Sequence, residues 1–235
     1  MKILAVETST LFGGIAIIDD MSGLLIEIRL NIETTYSERL MVQIDHALKL
    51  TGLSPSEIDA FAVTIGPGSF TGLRIGLSTI KGFSYATKKP ILTVPTLDSL
   101  AWHFPFSEIP VCPLLDARKQ EVYAGLFRWD RNGFKKEIAE TSLPIKVLAD
   151  QILSLHRGKV LFTGEGSLLY KESILNYMEG SAIFAPAEKI APSPAVVASL
   201  AMKKAFAGDY SEPITLVPRY IRKSEAEIKW RNPGS

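Results

Sequence analysis

Short apolar runs alternate with polar turns along this chain, and their spacing switches between strand-like and helical. Residues 3–6 form a compact apolar run of the kind a buried strand needs. Glu7-Thr8-Ser9-Thr10 follows as a polar turn, and Gly13-Gly14 opens a second run at 15–18. After Asp19-Asp20-Met21-Ser22-Gly23, residues 24–30 predict a third strand, so the chain opens as an antiparallel meander. Leu40, Met41, Ile44, Ala47 and Leu48 then recur at helical spacing behind Ser37, the predicted cap, and Thr51-Gly52 ends that helix. Ser54-Pro55-Ser56-Glu57 starts a brief turn. Residues 61–65 predict a buried strand and Gly66-Pro67-Gly68 a tight turn. Leu73, Leu77 and Ile80 mark a helix that Ser69 or Thr71 is able to cap. Gly72 and Gly76 lie four apart on one face of it. Each costs about 1 kcal/mol against Ala, so the pair predicts that another backbone approaches closely. The start of the same helix leaves bare N–H groups where an anion could sit. A strand at 91–94 and a helix that Thr96 caps, running through Leu100 and Trp102, complete this half. His46 reads as a surface or half-buried helix residue and His103 as a helix-face residue.

Pro105, Pro110 and Pro113 mark a shift in composition, and the first pattern then returns. Residues 111–115 predict a strand, Asp116-Ala117-Arg118-Lys119 a charged turn, 122–129 a strand and Asp130-Arg131-Asn132-Gly133 another turn. Both halves follow one plan: strand, acid in the turn, strand, polar glycine turn. The expected division is a lobe at 1–104, a second at 105–192, a return helix with an extended segment at 193–220, and a charged tail at 221–235. Within the second lobe, 148–155 predicts a helix and 160–162 a strand. Thr163-Gly164-Glu165-Gly166 is a turn, and Ser167 opens a helix. Ser193-Pro194 starts the return helix, which Gly208 closes. The fold class expected is α/β.

Composition narrows the chemistry. The chain has 235 residues with a net charge of +1, so no global field draws it to nucleic acid. One cysteine, Cys112, excludes an intramolecular disulfide and a cysteine-rich zinc site, which fits a cytoplasmic location. Cys112 sits in an apolar strand, a place for burial rather than a reactive thiolate. No apolar run is long enough to span a bilayer, so no membrane role is expected. The three histidines, His46, His103 and His156, offer no H-E-x-x-H pair, and no G-x-S-x-G elbow is present. Two readings of Glu7, Thr8, Ser9 and Gly13 remain: a phosphate-binding loop, or a polar hairpin whose hydroxyls bond locally. Arg219, Arg222, Lys223 and Arg231 are basic enough to meet RNA. Interleaved with Glu225 and Glu227, they read better as a solvated tail.

GPGSFTGLRIG followed by KGFSYATKKPI resembles the signature of the TsaB (YeaZ) family. The ETS start, LLDARKQEVYAG and PRYIRKSEAE extend the resemblance over most of the chain. Such membership implies two duplicated ribonuclease H-like lobes of the actin/Hsp70/sugar kinase superfamily. It implies a non-catalytic subunit that supports TsaD, together with TsaE, in forming N6-threonylcarbamoyladenosine at position 37 of tRNAs reading codons that begin with A. TsaB-like proteins pair with TsaD, or with themselves in its absence, through their first two helices, here 37–50 and 71–86. The interface implied comprises Leu40, Ile44, Leu48, Gly72, Leu73, Gly76, Leu77 and Ile80. Contact with tRNA is expected only through the complex. TsaD-like enzymes carry metal on an H-x-E-G-H segment. Thr96-Leu97-Asp98-Ser99-Leu100 stands there instead, with Thr96 and Leu100 at the two histidine positions, so neither a metal nor a catalytic residue is expected. By analogy with nucleotide-binding relatives, Glu7, Thr8, Ser9, Gly13, Asp116, Gly164 and Gly166 are candidate vestigial phosphate loops. Arg118-Lys119-Gln120 replaces the expected small residues. ATP or ADP is therefore expected on partner subunits rather than here. The alternatives are a nucleotide-binding switch and an independent phosphotransferase or peptidase.

Overall fold

A strand whose consecutive side chains are all apolar needs cover on both faces of its sheet. The inner residues of two strands, β1 (Lys2–Glu7) and β4 (Ala60–Thr64), are of this kind, and these strands form the centre of the first half. The computed structural model describes residues 1–32, 35–131 and 133–222. Around those strands it places β2 (Phe12–Asp19), β3 (Gly23–Asn31), α1 (Tyr36–Thr51), α2 (Phe70–Thr87), β5 (Ile91–Val94) and α3 (Thr96–Ala101). The second half contains β6 (Val111–Arg118), β7 (Glu121–Asp130), β8 (Gly133–Pro144), α4 (Ile145–Leu155) and β9 (Val160–Thr163). It continues through α5 (Glu165–Leu169), α6 (Lys171–Tyr177), β10 (Ala182–Phe184) and α7 (Pro194–Phe206).

Two five-stranded sheets result, ordered β3-β2-β1-β4-β5 and β8-β7-β6-β9-β10. In each, a three-stranded antiparallel meander continues into two parallel strands. The strand order is the same in both, so the repeat read from the sequence is a structural duplication. The fold is α/β with two ribonuclease H-like sheets.

Side-chain size sets what covers each face. The outer face of the first sheet carries Leu4, Val6, Ile15, Phe61 and Val63 and packs under α1 and α2. Its inner face carries Ala5, Ala60 and Ala62, against which α7 lays Ala198, Ala201 and Ala205. Small residues on both sides let helix and sheet approach closely. The second sheet packs Cys112, Leu114, Val122 and Phe162 against α4 and α6. Its other face receives Leu97, Leu100 and Ala101 of α3. Thus α3 and α7 lie between the sheets.

Several local expectations change. Thr35, not Ser37, caps α1, in a capping box with Glu38. Pro95 precedes α3, and Thr96 is its first residue. Asp116 and Arg118 belong to β6, leaving Lys119-Gln120 as the turn. The helix expected from Ser167 is two short helices parted at Tyr170. The strands β8 and β10 add to the strands that the apolar runs mark. His46 is exposed on α1, as expected, whereas His103 is buried, with Nδ1 facing the Lys189 carbonyl at 3.2 Å. Residues 223–235, including Lys223, Glu225, Glu227 and Arg231, lie outside the described residues.

Candidate functional site

The glycine turn and α2 meet the β1–β2 loop. Ser69 caps α2, its Oγ accepting from the Gly72 N–H at 3.2 Å. The Ser69 N–H donates to the Ser9 carbonyl at 2.7 Å. The helix start that the sequence offers to an anion is therefore engaged by the chain's own loop. The glycines make this possible. A Cβ at Gly68 would lie 2.3 Å from the Ser9 carbonyl oxygen, and one at Gly72 2.1 Å from that of Thr8. One at Gly76 would lie 2.2 Å from Thr8 Oγ1. The predicted close approach exists, and the approaching backbone is internal.

The side chains expected at the partner interface serve the core of this chain. Leu40, Ile44, Leu48, Leu73, Leu77 and Ile80 are all buried, because the apolar stripes of α1 and α2 cover the first sheet. Gly72 and Gly76 are occupied by Thr8. The outward faces carry Met41, Val42 and Leu50 on α1 and Tyr85 on α2, each more than half exposed. Gly82, also outward, has nothing within 4 Å of where its Cβ would sit.

Glu7 ends β1 fully buried. Its Oε1 accepts from the Ser9 N–H at 2.6 Å and Ser9 Oγ at 2.5 Å, while Oε2 has no partner among the described residues. Burial outweighs the Ser9 bonds and pushes its carboxyl up to about 7. Thr8 Oγ1, Thr64 Oγ1 and Thr96 Oγ1 are likewise buried without a partner. The rest of the loop is tied down locally: Tyr36 donates to the Thr10 carbonyl at 2.7 Å, and Arg39 to that of Leu11 at 2.8 Å. A Cβ at Gly13 would lie 2.3 Å from the Glu7 carbonyl oxygen, so this glycine too serves packing.

The corresponding place in the second half is built differently. Asp116 accepts from the Arg118 N–H and the Tyr170 hydroxyl, both at 2.9 Å. The β6–β7 turn is a two-residue connection, and Arg118, Lys119 and Gln120 all have positive φ, at 63°, 54° and 62°. Three non-glycine residues in that region are unusual, and the tight reversal leaves no loop to wrap a phosphate. A Cβ at Gly164 would lie 2.0 Å from the Leu114 carbonyl oxygen, and one at Gly166 3.1 Å from that group. Both glycines seat α5 on β6. Burial, then the Asp116 charge, raises the Glu165 carboxyl. Burial, then the charge of Glu7, raises the Tyr36 hydroxyl, and Glu165 of α5 adds to this, so the start of α5 lies on the side of the Glu7 loop. Among the described residues, no group of three His, Cys, Asp or Glu side chains is disposed to hold a metal ion.

The extended C-terminal segment is held by bonds to both halves of the chain. Ser211 bridges to Ile91, and the Arg219 N–H donates to the Ile65 carbonyl at 2.7 Å. The Arg219 guanidinium pairs with Glu140 on β8, and Arg222 donates to the Ala117 carbonyl at 2.8 Å. The Tyr220 ring stacks on Phe70 at 4.8 Å and its hydroxyl accepts from Arg74 Nε at 3.0 Å. Arg219 and Arg222, weighed above as RNA contacts, therefore bond within the chain. No helix among the described residues is long and apolar enough to cross a membrane.

A family model described as "TsaD: tRNA N6-adenosine threonylcarbamoyltransferase" matches residues 31–230. The "tRNA threonylcarbamoyladenosine biosynthesis protein TsaB" of Bacillus subtilis (strain 168) is 30% identical over 232 residues, covering 98% of each chain. The protein of that name in Escherichia coli (strain K12) is 28% identical over 246 residues, covering 100% of this chain and 99% of its own. The solved structure "YeaZ from Pseudomonas aeruginosa" superposes with a TM-score of 0.79 at 25% identity, covering 93% of this chain and 99% of that one. Sequence likeness along the full length and the shared two-sheet architecture agree: the chain belongs to the TsaB (YeaZ) family.

Proposed function

We propose that this protein takes part in forming threonylcarbamoyladenosine in tRNA as a non-catalytic subunit that binds and supports TsaD, with TsaE. In this reading it meets tRNA only through the complex, pairs with itself when TsaD is absent, and works in the cytoplasm. The names of its relatives support the pathway. One observation supports the supporting role: the features that would hold a phosphate are spent on the chain's own packing. Ser9 engages the α2 start, Thr8 fills the Gly72–Gly76 notch, and Leu114 lies against Gly164 and Gly166. Such a site does not fit a nucleotide held by this chain alone, so we assign ATP or ADP to the partner subunits. The residues 1–104 and 105–192 would act as two lobes joined by the 193–220 segment.

Partner contact would use the outward faces of α1 and α2, through Met41, Val42, Leu50 and Tyr85, rather than the buried stripe. Exposed apolar side chains on two neighbouring helices suit an interface, and bare Gly82 gives room for a close approach. The test is reconstitution with TsaD, TsaE, ATP, threonylcarbamoyl-AMP and tRNA, omitting each protein in turn. The expected result is no modification by this chain alone and a large loss when it is left out. Val42→Arg should weaken co-purification with TsaD without lowering the melting temperature. Turnover by the isolated chain that Glu7→Ala or Asp116→Ala abolishes would favour the independent-enzyme reading. Heat from ATP or ADP in calorimetry would favour the switch.

A further inference from the structure

A sheet edge offers unpaired N–H and C=O groups to any other strand, and folded chains protect such edges. Among the described residues the two sheets end in the edge strands β3, β5, β8 and β10, and the last three are protected. Ser211 bridges to Ile91 on β5, where Lys204 also donates to the Thr93 carbonyl at 3.0 Å. β8 carries Lys135 and Lys136, and its pairing with β7 shifts register twice. β10 has only three residues. By contrast, β3 has nine residues, contains neither proline nor lysine, and pairs with β2 alone. Its one irregularity lies opposite Ile17 and Ile18, so 26–31 stay in regular register.

Along an antiparallel ladder, successive residues turn their backbone groups to opposite sides of the strand. A Cβ at Gly14 would lie 1.9 Å from the Ile28 carbonyl oxygen, so Ile28 turns its backbone towards β2. Glu27 and Arg29 therefore turn theirs to the open edge. The sequence around Ile28 is complementary to its own reverse: Ile26 matches Leu30 as an apolar pair, and Glu27 matches Arg29 as opposite charges. Both charged side chains reach the segment before α7. Glu27 Oε1 accepts from Ser193 Oγ at 2.5 Å, and Arg29 Nη2 donates to the Ala191 carbonyl at 3.4 Å. The Arg29 guanidinium also lies over the Phe12 ring at 4.7 Å, and its Nε has no partner among the described residues.

We infer that β3 pairs antiparallel with β3 of a second copy of this chain, about a twofold axis at Ile28, joining the two first-half sheets into one continuous sheet. Glu27 of each copy then faces Arg29 of the other, Ile26 faces Leu30, and the backbones of Glu27 and Arg29 supply the hydrogen bonds. Opposite charges directly across a ladder attract, and like charges repel. A twofold contact between identical chains needs such a self-complementary patch. β3 contributes none of Met41, Val42, Leu50 or Tyr85, so this pairing is separate from the helix-face contact proposed above.

The test is sedimentation equilibrium of the full chain carrying Val42→Arg, which disables the helix-face contact. Adding Arg29→Glu or Glu27→Arg should weaken self-association about tenfold or more, since each change sets like charges opposite one another twice. An equimolar mixture of the two variants should regain the parent affinity, because both cross-pairs are then opposite in charge. Mixing would not restore a merely structural loss. Separately, Ile28→Cys should form a disulfide-linked dimer with diamide. The pair on the axis is not hydrogen-bonded, its Cα atoms are about 4.5 Å apart, and the native Cys112 is buried. Ile26→Cys sets its two thiols about 13 Å apart along the strands and should not crosslink. If a charge variant fails to fold, the two cysteine variants decide. Absence of association, a mixture no tighter than its components, or equal crosslinking of the two cysteine variants would overturn the proposal.

Discussion

The buried Glu7 carboxyl accepts the N–H and Oγ of Ser9 on Oε1, and Thr64 on the adjoining strand also favours its charged form. Its proton affinity rises from the ordinary 4.5 to about 7 because desolvation outweighs those bonds. The folded chain therefore holds the proton more tightly than the unfolded one. The resulting stabilisation is fully present below about pH 4.5 and is lost as pH rises through about 7. A shift of that size corresponds to something on the order of 3 kcal/mol. Glu7→Gln keeps an acceptor for Ser9 and presents an amide to Thr64 Oγ1 on the adjoining strand, which lacks a partner. The variant should be more stable than the parent at about pH 8, with the difference closing towards about pH 4.5. Urea unfolding at both pH values measures this. A gap that does not vary with pH would mean the carboxyl is not held neutral by the fold.

At the scale of elements, α2 separates glycines that serve the fold from one that does not. Gly76→Ala would set a Cβ against Thr8 Oγ1, forcing the β1–β2 loop away, at a cost of about 1–3 kcal/mol. Gly82→Ala meets open space and should stabilise the isolated chain by about 1 kcal/mol through helix propensity. Thermal unfolding of the two variants should therefore move in opposite directions, and a loss at Gly82 would contradict its assignment to an outward face. The spacing of Gly72 and Gly76 predicted a close backbone approach but could not name the approaching segment, since Thr8 is far away in sequence. The approaching segment is a loop of the same chain. The central strands were legible because burial on both faces demands unbroken apolar runs. The edge strand β8 was not, because Lys135-Lys136-Glu137 reads as loop and its pairing with β7 is irregular. With three residues, β10 is too short for any period. The α1 cap was available in the sequence, since Thr35 and Glu38 have capping-box spacing. In the candidate site, the types of Glu7 and Asp116 were visible, but the tight β6–β7 reversal depends on backbone angles that Arg118-Lys119-Gln120 does not advertise.

Across the whole molecule, the residues 211–222 link the two sheets. They bond to Ile91 and Ile65 on one side and to Glu140 and Ala117 on the other. The Glu140 side chain is 1% exposed, so its charge needs cations. Lys136 is shared with Asp98, which leaves Arg219 as the second support. Arg219 is half exposed, and solvent screens its part of the pair. Arg219→Met should then cost about 1–2 kcal/mol, less than the loss of a fully buried partner. The larger effect should be local. Without the guanidinium, the Tyr220 stack on Phe70 and the Arg219 amide bond to Ile65 lose their anchor on the second sheet. Hydrogen exchange should quicken at the amides of 213–222 and the first turn of α2, while β1 and β4 keep their protection. Uniform acceleration through both sheets would instead mean that the segment holds the fold together rather than setting how its halves meet. Glu140→Gln removes the charge that Arg219 answers, so adding it to Arg219→Met should cost less than the sum of the two single changes. That non-additivity is what distinguishes a tie between the sheets from two independent surface contacts.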